Sequence, residues 1–330
     1  MLNPWLKNPC PIQIRSVVAA VLTTSFLGFL TPQAKAQSKP TVVVTTSILC
    51  DITKRIAQDT IALKCLLNPG ADPHVYSPKP QDRKAIETAK LIVYGGYDFE
   101  PDLIRLIQST SNPAPKVAVH EMAVPNPISG GHHHHGDGGH HHGAGSNKPD
   151  PHVFHSAANG TRMVSVVQQS LTKLNPSQRS RYAANAKKLS GELSQIHTWI
   201  RSQIKTIPFK QRWIISTHDA FEYYARTYNL GLAPTLRGIS TEERPSAFRV
   251  AQLAREVKTL GVPTIFAETT VNPKLITIVA NEAKVKVSPR KLYADGIGKP
   301  GSEADSYSKM LIANTRAIVE GLGGKYTPPR

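Results

Sequence analysis

From Thr41 onward the chain repeats one pattern, and that pattern restricts its fold more than any other feature. A short β-branched or aliphatic run is followed each time by a longer stretch with apolar residues at helical spacing. TVVVTT (41–46) predicts a buried strand and ILCDITKRIAQD a helix. IALKCLL (61–67), ended by NPGADP, predicts a second strand, and KPQDRKAIETAK a second helix. LIVYGG (91–96), FEPDLIRLIQST and KVAV (116–119) continue the alternation. Strands alternating with helices argue for a parallel sheet covered by helices on both faces.

After a further helical stretch, ANGTRMVSVVQQSLTKL, the pattern changes. Asn175 can cap a new helix and Pro176 can take its first position. Tyr182, Ala186, Leu189, Leu193, Ile196, Ile200 and Ile204 then recur at steps of four and three. This spacing predicts an amphipathic helix of about eight turns at 3.6 residues each, stopped by Pro208. Beyond it the alternation restarts with RWIIST (212–217) and DAFEYYARTY. It continues through SAFRVAQLAREVKTLG, PTIFAE (263–268), NPKLITIVANEA and VKVS to a final helix, SEADSYSKMLIANTRAIVEGL. The expected fold is α/β, two lobes with parallel sheets joined by one long rigid helix. The boundaries are 37–175 for the first lobe, 176–207 for the helix and 208–330 for the second lobe.

The first 36 residues predict a signal peptide. Lys7 and Arg15 precede the apolar run SVVAAVLTTSFLGFL (16–30), and AKA (34–36) is a small-x-small cleavage site. The run is too short to span a bilayer comfortably, so the expected product is exported and periplasmic, cleaved after about Ala36. Of three cysteines, Cys10 leaves with this segment. Cys50 and Cys65 remain and could be bridged, as an oxidising compartment permits, or be buried free thiols. The formal charge is +17; residues 1–36 hold Lys7, Arg15, Lys35 and no acid, so cleavage leaves +14. Lys and Arg are scattered without a basic run or an interleaved aromatic stripe, which argues against nucleic acid. Such a charge repels cations at long range, so a cation site must win through local ligands.

Chemistry is concentrated in histidine. GGHHHHGDGGHHHG (130–143), within a loop assigned to 126–149, offers His132, His133, His134, His135, His140, His141 and His142 as possible secondary metal ligands. Placed inside the chain, it is either a metal-collecting loop or inert low-complexity sequence. Four isolated residues stand where strands hand over to loops or helices: His74 in GADPHVYSPKP, His152 in KPDPHVFHS, His218 in STHDAF and Asp305 in GSEADSYSKM. Ligands of open α/β sheets bind outside the carboxyl ends of strands. Three imidazoles and one carboxylate suit Zn²⁺. Mg²⁺ and Ca²⁺ prefer all-oxygen shells, and Mn²⁺ would be better served by another carboxylate. The repeated DPH places an aspartate where it could hydrogen-bond a ring nitrogen or cap the next turn. Taken singly, Asp305 reads as a helix-start acid. His155 could be a secondary ligand, whereas His120 and His197 lack any such context.

PGADPHVYSPKPQD, DPHVF, STHDAFEYYARTYNLG, IFAETTVNPKL and DSYSKMLIANTRAI resemble the zinc/manganese-binding solute receptors of bacterial ABC importers, the cluster A-I (cluster 9) family. The resemblance covers essentially the whole chain after residue 36, in order. It implies two α/β lobes bridged by one helix, and metal ligands at His74, His152, His218 and Asp305. Histidine at the third position, with a His-rich loop before the second ligand, resembles the zinc branch, since manganese members usually carry glutamate there. Glu268 in FAE matches a recurrent family acid expected to line the cleft or support a ligand. DPHVFHS departs from the family, which more often has tryptophan and an aliphatic residue after the histidine.

The resemblance thus implies a monomeric Zn²⁺ receptor, not an enzyme, whose partner is the membrane permease of an ABC transporter. A manganese receptor of the same family is the alternative. A zinc hydrolase would need an open coordination position and a general base. The chain has no His-Glu-x-x-His, and Glu268 is the one obvious candidate base.

Overall fold

β1 (Thr41–Val44) runs through the middle of the first sheet, and its Val42, Val43 and Val44 are fully buried. In the computed structural model, which describes residues 38–129 and 148–329, both faces of this strand are covered. That is why the run is apolar without alternation. β2 (Ala62–Cys65), β3 (Leu91–Tyr94) and β4 (Lys116–Ala118) complete a parallel sheet of order β2-β1-β3-β4. Val42 is paired with Leu63 on one side and Leu91 on the other.

The crossovers are α1 (Ser47–Ala57), α2 (Pro80–Thr88) and α3 (Pro101–Ser109), followed by the short α4 (Val119–Ala123). Thr46 caps α1 by accepting a hydrogen bond from the Leu49 amide, and Ile48, Leu49, Ile52 and Ile56 form its buried stripe. A disulfide between Cys50 on α1 and Cys65 at the end of β2 ties helix to sheet.

α5 (Ala157–Leu174) leads to α6 (Arg179–Ile204), which at 26 residues is about 39 Å long. Tyr182, Ala186, Leu189, Leu193, Ile196, Ile200 and Ile204 are its buried face, joined by Gln203. The α-helix starts three residues later than Pro176. Pro176–Gln178 form a 3₁₀ turn, and the Asn175 side chain accepts from the Ser177 hydroxyl (2.7 Å) instead of capping a helix. α6 packs against α1 and α5 from the first half and against α10 (Tyr307–Gly321) from the second.

The second half contains β5 (Trp213–Ile214), α7 (Glu222–Tyr228), β6 (Gly231–Leu232), α8 (Ala247–Leu260), β7 (Thr264–Ile265), α9 (Lys274–Ala283) and β8 (Lys286–Val287) before α10. β5 pairs with β6 and β7 with β8, both parallel; the Phe266 amide donates to the Ile215 carbonyl (2.9 Å) between the pairs. These ladders are shorter than the apolar runs because regular pairing is interrupted where the chain builds a polar centre, and beyond β7 it continues only as a single bridge of Glu268 with Leu292. The Thr217 and His218 amides donate to the Glu268 carboxylate instead of to a neighbouring strand. The fold is therefore α/β with parallel sheets and one long helix. Among the described residues no helix is long and apolar enough to cross a membrane. The predicted signal segment 1–36 and the histidine run 130–143 lie outside the described residues.

Candidate metal centre

Four buried side chains from distant parts of the sequence meet: His74, His152, His218 and Asp295. Each lies past the carboxyl end of a sheet segment or in a loop beside one, where the strand chain has released its backbone groups. His74 and His152 are set by the same local device. In each DPH triplet the aspartate accepts from the histidine's own amide: His74 to Asp72 Oδ1 at 3.0 Å, and His152 to Asp150 Oδ1 at 2.9 Å. These are Asx turns, in which a side chain mimics a backbone turn and fixes the residue two positions on. His218 follows β5, and its amide is held on Glu268 Oε1 at 3.0 Å. Asp295 follows the parallel bridge between Glu268 and Leu292. The next residue, Gly296, lies against α1, where a Cβ would come within 2.6 Å of Ser47 Oγ.

The Nε2 atoms of His74, His152 and His218 lie 3.3, 3.4 and 3.2 Å from one atom, Asp295 Oδ1. All four donor atoms lie within 4.8 Å of one another. A tetrahedral ion with bonds of about 2.0–2.1 Å separates its ligands by about 3.3 Å. The three nitrogen-to-oxygen separations already have that value. The far sides of the ligands are occupied. His152 Nδ1 lies 2.8 Å from Asp150 Oδ1, His218 Nδ1 lies 2.5 Å from Glu268 Oε2, and Thr270 Oγ1 donates to Asp295 Oδ2 at 2.6 Å. Such partners fix ring orientation and raise the basicity of Nε2. Phe99 packs edge-on against His74 (5.2 Å) and His152 (5.4 Å), giving the centre an apolar wall.

Burial alone would push the imidazoles of His152 and His218 toward the neutral form. For His152 the hydrogen bonds with Asp150 and Asp295 outweigh burial and raise its pKa above the ordinary value. For His218 burial is outweighed further by the charges of Glu268 and Asp295, and the pKa is well above the usual imidazole range. Burial opposes charge on Asp295 too, yet His218, His152 and His74 hold it well below the usual carboxylate range. Protons and a cation therefore compete for the same Nε2 positions.

The structure gathers three of the four residues singled out in the sequence and replaces the fourth. Asp305 is not at the centre. It precedes α10, accepts from Lys309 Nζ (2.8 Å) and the Gly301 amide (3.1 Å), and these contacts lower its pKa at the surface. The carboxylate that meets the histidines is Asp295, in YADGIG. It carries the signal that Asp305 lacks, a position just past a sheet segment and before a glycine that allows close approach. Asp305 stands just before the N-cap Ser306 of α10. His155 is buried, but its Nε2 lies 2.8 Å from the Ala294 carbonyl, and its ring stacks on His152 instead of joining the donors. Burial, with the neighbouring His152, lowers its pKa to about 3. Glu268 holds His218 and contributes none of the four donor atoms. His120 is buried beside Phe99 and Phe154, and His197 contacts the Tyr228 hydroxyl at 3.3 Å. Phe154, in the departure DPHVFHS, is fully buried, and its carbonyl accepts from the Tyr307 hydroxyl at 2.6 Å. His132–His135 and His140–His142 lie outside the described residues.

Residues 42–321 match the family described as "Zinc-uptake complex component A periplasmic" (ZnuA). The chain belongs to this family. The manganese-binding lipoprotein MntA of Halalkalibacterium halodurans is 28% identical over 282 residues, covering 85% of this chain and 88% of its own. The zinc-binding protein TroA of Treponema pallidum is 27% identical over 311 residues, covering 93% and 96%. The structure of the periplasmic zinc-binding TroA superposes with a TM-score of 0.77 at 27% identity, over 86% of this chain and 99% of that one. The two-lobe architecture is thus shared. The chain is of the class of metal-binding substrate receptors of ABC transporters, and the relatives include both manganese and zinc binders.

Proposed function

We propose that the chain is an exported receptor that captures Zn²⁺ between its two α/β halves and delivers it to an ABC-type membrane permease. The ligands are His74, His152, His218 and Asp295. The observation that carries this reading is the convergence of three imidazole Nε2 atoms on one buried carboxylate oxygen at 3.2–3.4 Å. Three nitrogens and one oxygen suit a tetrahedral Zn²⁺ shell, whereas Mn²⁺ is better matched by more oxygen. A hydrolytic role is disfavoured by Glu268, which would be the base. Its two oxygens are taken by the His218 ring and by two backbone amides. The histidine run 130–143 would act as a weaker collector, because a glycine-rich sequence loses more conformational entropy in closing on an ion than a site already assembled.

The test is metal analysis and competitive titration of the mature chain with Zn²⁺ and Mn²⁺, beside His218→Ala and a deletion of 130–143. One tightly held zinc per chain is expected. It is lost in His218→Ala and kept in the deletion, which removes only weaker equivalents. Preference for manganese would overturn the choice of ion, and survival of tight binding in His218→Ala would overturn the site.

A further inference from the structure

His152 and His218 are each held from behind by a carboxylate on the ring, but the path that fixes His74 is different. The His74 amide donates to Asp72 Oδ1 at 3.0 Å, and Asp72 Oδ2 accepts from Thr241 Oγ1 at 2.7 Å. Asp72 and His74 belong to the loop after β2 in the first half, whereas Thr241 belongs to the 237–243 loop of the second. That loop is built to present Thr241. The Arg237 amide donates to the Thr217 carbonyl (3.1 Å), beside His218, and the Arg237 guanidinium holds the Thr241 and Glu243 carbonyls. The Gly238 amide donates to the Glu243 carboxylate at 2.7 Å. Thr241 itself is buried, 7% exposed, although Glu242 and Glu243 beside it are exposed.

Access points to the same side. His152 and His218 are fully buried and Asp295 is 2% exposed, against 5% for His74. Of the four, His74 alone lines the cavity of about 700 Å³ that opens between the halves, together with Val75, Tyr97, Gly238, Ser240 and Glu242. Apart from Asp219, the residues that border this cavity from the second half are the neighbours of Thr241, from Gly238 to Glu243.

Resting on the metal reading above, we propose that Thr241 is a positioning residue for the cation site. Its hydroxyl, acting through Asp72, latches His74 across the two halves, and the ion enters and leaves on the His74 side when that latch opens. Thr241 touches no donor atom. It acts on the rate at which one ligand is withdrawn, while three ligands stay fixed. Its loss should therefore speed dissociation.

The experiment uses the mature chain loaded with one equivalent of Zn²⁺, mixed rapidly with an excess of a chromogenic chelator. Thr241→Val should release zinc about tenfold faster, the scale of one lost hydrogen bond to a charged acceptor. Thr241→Ser, which keeps the hydroxyl, should release at the wild-type rate. Metal-free Thr241→Val should still unfold in one cooperative transition, so that faster release is read from a folded chain, and Thr241→Ser should restore both the wild-type melting temperature and the wild-type release rate. In an Asp72→Ala background, itself faster than wild type, Thr241→Val should add nothing further, because both changes remove the same link. Wild-type release from Thr241→Val, or effects of the two changes that simply multiply, would overturn the latch. A wild-type chain that binds no zinc at all would instead remove the metal reading, and the latch with it.

Discussion

Asp295 is the residue on which the centre turns, because one of its oxygens faces three imidazoles while Thr270 holds the other. Asp295→Asn is expected to weaken zinc binding by at least about 100-fold, the upper end of what loss of a supporting partner alone costs. Asp305→Asn should leave it unchanged; competition titration against a chelator of known affinity reads both. Protonation supplies a second prediction. His218 carries a pKa well above the ordinary imidazole value and His152 one raised above it. At neutral pH an incoming ion must therefore displace a proton. Affinity should rise with pH through the neutral range and fall as pH drops, with about one proton released per ion. Calorimetry in buffers of different ionisation enthalpy measures that number, and zero release would contradict it. The histidines were legible because each has a local signature: the DPH turn for His74 and His152, and a strand end for His218. Asp295 has only the weaker signature of an acid before a glycine past a sheet segment, and the approach of Gly296 to Ser47 on α1 joins residues 249 positions apart in sequence.

At the scale of elements, α6 shows what periodicity can reveal. The seven apolar positions read at steps of four and three are all buried on one face, because a helix repeats every 3.6 residues wherever it packs. Its beginning was less legible, since Asn175 and Pro176 serve a 3₁₀ turn first. Strand ends were overread for a physical reason. In RWIIST the last residues turn out of the ladder to carry His218, and in PTIFAE the regular ladder stops at Ile265 and pairing continues only as the single bridge of Glu268 with Leu292. The burial of α6 against both halves implies a large energetic role. Leu193→Ala, at a fully buried position, is expected to cost about 2–5 kcal/mol. Chemical denaturation of the metal-free chain measures the loss, and a change under about 0.5 kcal/mol would show that the α6 interface is not well packed.

For the whole molecule, a positively charged chain holds a cation because its carboxylates act at short range inside a low-dielectric centre, where long-range repulsion matters little. A helix packed on both halves resists wide hinge motion, so uptake and release are expected through loop shifts such as the Thr241–Asp72 latch. Both halves contribute ligands, and neither can complete the shell without the other. The most direct measurement is anomalous diffraction at the zinc edge from crystals of zinc-loaded protein spanning residues 37–330. One strong peak is expected at about 2.0–2.2 Å from the Nε2 atoms of His74, His152 and His218 and from an Asp295 oxygen. A peak coordinated by Asp305, or one lacking either half's ligands, would contradict the assignment.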